Sequence, residues 1–197
     1  MHKMLLMLTS MILAVTLMTG LIGCGDAGGE ANTKAPVMLY IRSLNDDAPY
    51  FAEVWDSIND AISIREDVVT CLVQNQPLDP TDEGTESFYQ DIICKGYEIS
   101  YFRKDTGTRV PASFTGSVNV VCTVNSSIGF DIIICRASQK QMPPLIDLCD
   151  PGYDMETGLN EIHTTCRVVV WGETFAGEEV VTDPAHMTVN FACQWID

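Results

Sequence analysis

Apolar and polar residues alternate in short runs along most of this 197-residue chain from Pro36 onward. In the run from Tyr97 to Tyr101 every second residue is apolar, and six apolar positions recur in the same way from Ala185 to Trp195. Successive side chains of a β-strand point to opposite faces, so a period of two is typical of a strand with one buried face. The pattern therefore predicts a fold built mainly from strands.

The runs are separated by sequences that favour turns, such as Asn75–Pro80 and Lys104–Gly107. About seven or eight short strands separated in this way predict an antiparallel β-sandwich. The part of the chain after Pro36 has the size of one ordinary domain, so we assign residues 37–197 to a single unit. The spacing of the apolar residues from Phe51 to Ile62 fits either a helical turn or a strand, and both alternatives stay open.

Two pairings follow from matching apolar faces. A hairpin centred on Ser127 would place Val124 opposite Phe130 and Cys122 opposite Ile132. The last run, Ala185–Trp195, is expected to pair with Cys166–Trp171 around a turn at Gly172–Gly177.

Five segments of the chain resemble those of uncharacterised bacterial lipoproteins that carry an immunoglobulin-like domain. The resemblance extends from about residue 65 to the C-terminus and implies an immunoglobulin-like β-sandwich without known catalytic residues. The segments are Tyr97–Tyr101, Val110-Pro111, Pro143–Leu145, Gly172–Gly177 and Thr188–Ala192.

The sequence Leu21-Ile22-Gly23-Cys24 ends an apolar stretch that begins after Lys3 and resembles the lipobox of bacterial lipoproteins. It predicts a signal peptide over residues 1–23, lipid attachment at Cys24 and a tether over residues 24–36. The alternative is an uncleaved membrane anchor, but a stop-transfer helix normally has charged residues just past its end, whereas Gly25–Gly29 is a short acidic linker. The lipid would hold the protein at the membrane of the cell envelope.

Gly25 follows Cys24, where an aspartate would signal retention at the inner membrane by the enterobacterial rule. In a Gram-negative host we therefore expect the outer membrane.

Seven cysteines follow the predicted lipidated residue, an odd number that leaves at least one free thiol. Export permits disulfides, and we expect at least two, with Cys149 and Cys193 as the first pair because they flank the two ends of the last hairpin. Some cysteines on apolar strand faces are expected to act as small core residues. The disulfide candidates are Cys71, Cys94, Cys122, Cys135, Cys149, Cys166 and Cys193.

The formal net charge of −16 excludes nucleic acid as a natural partner, since no cluster of basic residues offsets the repulsion from phosphates. The charge also disfavours adsorption to an anionic membrane, so membrane attachment is expected to depend on the lipid. With nucleic acid excluded and direct adsorption to the membrane disfavoured, the expected partner is another protein of the cell envelope.

Residues that could carry chemistry are few. His163, Cys149 and Cys166 could bind a metal, but their spacing matches no standard zinc site, and we expect neither metal nor cofactor. The acidic stretches Asp79–Glu86 and Asp147–Glu156 are expected to be solvated loops rather than calcium sites. We therefore predict a binding or structural role without enzyme activity. The alternative is an envelope enzyme such as a hydrolase that uses histidine and cysteine or acidic residues.

Overall fold

The computed structural model describes residues 35–58, 61–79 and 87–193, and this part of the chain is folded mainly as β-strands. The all-β class predicted from the alternation is confirmed. One short α-helix lies in the described ranges, α1 (Ala137–Lys140). The strands there are β1 (Val37–Leu44), β2 (Tyr50–Glu53), β3 (Asp56–Ile58), β4 (Ala61–Ser63), β5 (Asp67–Pro77), β6 (Ile92–Arg103), β7 (Phe114–Cys122), β8 (Ser127–Cys135), β9 (Glu161–Thr174), β10 (Glu179–Val181) and β11 (Ala185–Ala192).

The described strands form two main sheets and one small hairpin. A three-stranded sheet has the order β1-β5-β8. A six-stranded sheet has the order β2-β11-β9-β6-β7, with β10 also paired to β9. Strands β3 and β4 form the hairpin. The predicted signal peptide, Cys24 and most of the tether lie outside the described residues, as do Trp195 and the acidic residues of the segment 80–86.

The alternation of the sequence becomes an alternation of burial. Tyr97, Ile99 and Tyr101 are buried on the inner face of β6, whereas Glu98 is exposed. The buried apolar residues of both sheets belong to one hydrophobic cluster. Two tyrosines of the six-stranded sheet also bond the edge strand of the other sheet. Tyr101 Oη donates to the carbonyl of Ile134, and Tyr97 Oη accepts from the Ile133 N–H at 3.0 Å.

The prediction for the last strand is confirmed in its face and its direction. β11 is antiparallel to β9 and buries Met187, Val189 and Phe191. The register differs from the expected one, because Ala185–Ala192 pairs with Glu161–Val168. Trp171 pairs with Val181 instead, because the short strand β10 is hydrogen-bonded to the C-terminal part of β9.

The predicted hairpin around Ser127 is wrong. β7 pairs with β6 in the six-stranded sheet, whereas β8 pairs with β5 in the three-stranded sheet. The turn between β7 and β8, closed by a bond from Ser126 N to the Thr123 carbonyl, carries the chain from one sheet to the other. The apolar faces of the two strands therefore both pack on the core without pairing. Alternation reports which face of a strand is buried, but it does not report which sheet holds the strand.

The segment with two open alternatives is a set of strands. β2 pairs with β11 in parallel, Tyr50 opposite Val189 and Glu53 opposite Ala192. This pair departs from the purely antiparallel arrangement expected from the sequence. β1 belongs to the three-stranded sheet, and the chain then crosses to the six-stranded sheet, where β2 forms an edge strand beside β11.

Within the described ranges one disulfide is formed, between Cys149 and Cys193, the pair that the sequence favoured. The expectation of at least two disulfides is not met, because the other five cysteines of the domain are free and buried. They lie among apolar residues and fill the core as small hydrophobic side chains. Burial raises the pKa of Cys71, Cys94, Cys135 and Cys166 to about 12.

Among the described residues, no helix has the length and apolar character needed to cross a bilayer.

Candidate binding surface

A group of partly exposed aromatic and charged side chains lies where β9 turns into β10. Trp171 and Glu173 are on the outer face of the six-stranded sheet, because the intervening Gly172 and the next residue, Thr174, are buried. Phe175 follows directly, in the turn that leads to β10, and its side chain is 39% exposed.

Trp171 lies against the backbone of β6 at a β-bulge. The pairing of β6 with both neighbouring strands shifts between Cys94 and Gly96. A Cβ atom at Gly96 would overlap the Trp171 indole, so glycine is required for the ring to take this position. Lys95 is displaced at the bulge and forms an ion pair with Glu173, Nζ to Oε2 2.5 Å.

A cavity of about 360 Å³ opens beside the indole. Its size falls at the lower end of the range for small-molecule sites and is large enough for a protruding side chain of a partner. Three of its lining residues are charged and two are valines, so the lining combines apolar and charged side chains. It is lined by Lys95, Trp171, Gly172, Glu173, Glu179, Val180 and Val181.

Two further aromatic rings come from the loop between β5 and β6. Phe88 is 58% exposed and Tyr89 60% exposed. The Phe88 ring centroid lies 4.8 Å from that of Phe175 and 4.9 Å from that of Tyr89. A one-turn 3₁₀ helix presents the two residues. Ser87 caps it, and Gln90 Oε1 accepts from the Ser87 N–H at 3.0 Å.

The loops are tied together, so the aromatic rings have a fixed relation. Phe175 N donates to the Asp91 carbonyl at 3.0 Å, and Asp91 Oδ1 accepts from Val124 N at 2.9 Å. The buried Asn75 donates to the Gln90 carbonyl at 2.9 Å. We call the resulting group the Trp171 surface; it comprises Phe88, Tyr89, Lys95, Trp171, Glu173, Phe175, Glu179 and Val181.

The candidate metal ligands are not brought together. Cys149 is bonded to Cys193, and Cys166 faces the core. His163 lies on the opposite face of β9, where Nδ1 is 3.0 Å from Asn190 Oδ1 and Nε2 is 3.1 Å from Glu161 Oε1. In the described ranges, no group of three or more histidine, cysteine or acidic residues is arranged to hold a metal ion.

The acidic stretch Asp147–Glu156 was expected to be a solvated loop, and Asp150 and Glu156 are exposed, but Asp154 is buried. The buried Asp154 accepts from Arg103 Nη2 at 3.0 Å, and Arg103 Nε donates to Asp105 at 2.6 Å. Glu156 accepts from the backbone N–H groups of Thr108 and Arg109 at 2.7 and 2.8 Å. These bonds hold the β6–β7 loop against the β8–β9 connection, so this stretch is a structural clasp and not a set of free calcium ligands. Residues 80–86 of the other acidic stretch lie outside the described part of the chain.

The Trp171 surface was not predicted from the sequence. One signal was available, since aromatic residues in turns such as Phe88-Tyr89 and Phe175 lack a reason to be there in a purely structural loop. Their contact could not be read from the sequence, because Phe88 and Phe175 are 87 positions apart along the chain.

No protein-family model matches the chain, and no curated protein is significantly similar to it.

Proposed function

We propose that the chain is a lipid-anchored protein of the bacterial cell envelope whose immunoglobulin-like domain binds another envelope protein through the Trp171 surface. The observation that carries the proposal is the contact between exposed aromatic rings from two separate loops. In monomeric proteins, exposed apolar patches rimmed by polar residues are typical of interaction sites. Aromatic side chains also dominate the energetics of protein interfaces.

The strand order supports the immunoglobulin-like assignment. With β1, β5 and β8 as strands A, B and E, the three-stranded sheet has the order A-B-E. With β7, β6, β9 and β11 as C′, C, F and G, the six-stranded sheet contains C′-C-F-G. Variable-type immunoglobulin domains divide their strands between two sheets in this way. The loops that carry Phe88 and Phe175 then correspond to B–C and F–G, which form the binding end of variable domains.

The charges around the Trp171 surface indicate the chemistry of the partner. Glu173, Glu178 and Glu179 contribute three carboxylates and Lys95 one ammonium group, in a chain with a net charge of −16. A partner that places an apolar side chain in the cavity and basic residues at the rim would be complementary in shape and charge. Electrostatic attraction of this kind depends on salt.

The lipid anchor rests on the lipobox. A protein this acidic gains no attraction from an anionic membrane, and acyl chains on Cys24 would supply the attachment, each buried methylene contributing about 0.8 kcal/mol. In a Gram-negative host the proposed location is the outer membrane.

Replacing Cys24 with alanine is expected to abolish lipid attachment and leave a longer precursor. The cause is the loss of the thiol that accepts the diacylglycerol. Mass spectrometry of the native protein and the Cys24→Ala variant, each isolated from membranes, measures both effects. A native protein that keeps residues 1–23 and carries no lipid would disprove the assignment.

A photo-crosslinking amino acid at position 175 of the full-length protein in cells is expected to capture a protein partner. The same amino acid at position 102 is a matched control, because Phe102 is a 54%-exposed aromatic residue of the same sheet. Introducing Glu179→Lys into the position-175 protein should weaken the adduct, since it reverses a charge at the rim. Equal adducts from positions 175 and 102, or one insensitive to Glu179→Lys, would argue against recognition by the Trp171 surface.

The hydrolase alternative needs a histidine beside a reactive thiol or a pair of available acids. His163 and the exposed His186 lie on the outer face of the six-stranded sheet, whereas Cys166 is on its inner face. The acids of the clasp are engaged with Arg103 and with backbone N–H groups. These positions favour the binding role.

A further inference from the structure

A buried ion pair joins two distant parts of the chain. Lys140, in α1, and Asp67, at the start of β5, are only 2% and 6% exposed. Lys140 Nζ lies 2.8 Å from Asp67 Oδ1 and donates to the Glu53 carbonyl at 2.6 Å. Tyr50 Oη donates to the same Asp67 oxygen at 3.4 Å.

The second oxygen of this carboxylate is unsatisfied. Asp67 Oδ2 is buried and has no hydrogen-bond partner. A carboxylate oxygen withdrawn from water without a donor is costly, and native proteins seldom leave one. In the ion pair, one buried carboxylate oxygen therefore stays without a hydrogen bond, which destabilises this arrangement.

We propose that Lys140 and Asp67 condense to form an intramolecular amide bond. Nζ of the neutral amine attacks Cγ of the protonated carboxyl group, a new N–C bond forms, and one C–O bond breaks. The departing oxygen leaves as water, with one hydrogen from the carboxyl group and one from the amine. No oxidant or other reagent is consumed.

The surroundings fit the product better than the ion pair. After condensation, the amide N–H keeps the Glu53 carbonyl as its acceptor, because that oxygen already receives a bond from Nζ. The amide oxygen, formerly Oδ1, keeps Tyr50 Oη as its donor. The oxygen that leaves is Oδ2, the one without a partner. Both remaining polar groups of the bond are then satisfied, and two buried charges are removed.

The reacting atoms are close together. A carbon–oxygen bond is about 1.2 Å long, so Nζ lies at most about 4 Å from Cγ and needs only a small shift to reach attack distance. Burial raises the pKa of Asp67 despite the opposing hydrogen bond and charge of Lys140, and the nearby Glu53 carboxylate raises it further. A raised pKa favours the protonated carboxyl group that the condensation requires, and Lys140 Nζ lies within hydrogen-bond distance of that group.

The site also has an exit for the released water. A cavity of about 210 Å³ adjoins the pair and is open to solvent. It is lined by Tyr50, Phe51, Glu53, Arg65, Glu66, Asp67 and Lys140.

Peptide mapping of the full-length protein tests the bond directly. After reduction, alkylation and trypsin digestion, we expect a branched peptide that joins Glu66–Lys95 to Ala137–Arg167, because trypsin does not cleave after an acylated Lys140. Its mass should equal the sum of the two sequences less one water molecule. Recovery of both regions only as linear peptides, with cleavage after Lys140, would overturn the proposal.

Three variants separate the bond from a simple ion pair. Lys140→Arg and Asp67→Ala should yield no branched peptide. Asp67→Asn should yield the same branched peptide as the native protein, because ammonia then leaves in place of water and the product amide is identical. A branched peptide that persists in Lys140→Arg would place the linkage elsewhere and would also overturn the assignment. The native digest decides the matter even where a variant fails to fold.

Discussion

Replacing Phe191 with alanine is expected to lower the free energy of unfolding by about 3–5 kcal/mol, a large fraction of the total for a domain of this size. Phe191 is fully buried on β11. Its ring packs edge-on against Tyr101, with 5.8 Å between ring centroids, and β11 is paired on both sides. The surrounding strands cannot collapse into the space that the ring leaves. Chemical denaturation of the two proteins measures the difference.

His186→Ala on the exposed face of the same strand is the control, and we expect a change of no more than about 0.5 kcal/mol. Deleting the chain after Asp183 removes β11 altogether and should leave no cooperative unfolding transition. A truncated protein that melts like the intact one would show that β11 is dispensable.

Replacing Arg103 with alanine is expected to destabilise the fold by about 3–5 kcal/mol. The Arg103 side chain is 4% exposed and is bonded to Asp105 and to the fully buried Asp154. Without the guanidinium, two carboxylates remain in the protein interior with one bond fewer each. Denaturation at neutral pH measures the loss. Arg167→Ala is the matched control, because Arg167 is partly exposed and lies 3.9 Å from Glu98, so only a small effect is expected.

The same clasp should make stability depend on acid. Burial alone would raise the pKa of Asp105 and Asp154, but the hydrogen bonds from Arg103 outweigh it and hold both values below the usual range. A carboxyl group with a lowered pKa in the folded state stabilises the fold above its unfolded pKa, near 4, and loses this contribution as the pH falls through the folded value. Denaturation midpoints measured from pH 6 down to pH 2 should therefore fall less in Arg103→Ala than in the native protein.

Much of the core could be predicted from the sequence because burial follows a period of two. Val69, Cys71 and Val73 are buried as expected, and so are Tyr97 and Ile99. Prediction was most reliable for long runs, such as the one that became β11. There, a shift by one residue would expose every apolar side chain.

Pairing between strands was predicted less well. β7 and β8 have matching apolar faces and a short turn, and both properties are shared by a hairpin and by a crossing between sheets. The parallel contact of β2 with β11 joins residues nearly 140 positions apart, and no local pattern encodes it. The bulge at Lys95 is likewise set by the packing of Trp171 on Gly96.

The residues of the two proposed sites were not predicted either, because they are distant in the sequence and meet only in the folded chain. Lys140 and Asp67 are 73 residues apart, and each is a common surface residue type when viewed alone. Only folding shows that they are buried together. For the cysteines, too many contacts were predicted. Their number suggested several disulfides, whereas the alternation along the strands placed most of them in the core as single residues.

The chain enters the domain at one end, and this position limits where a partner can bind. The Pro36 carbonyl accepts from Leu78 N, and Asn75, near the end of β5, contacts Gln90 beside the aromatic residues of the Trp171 surface. The chain therefore enters the domain at the same end as that surface. Fully extended, residues 24–36 span at most about 45 Å. If Cys24 carries lipid as proposed, the first residues of the domain lie within about this distance of the bilayer, and a protein embedded in that membrane is within reach of the Trp171 surface.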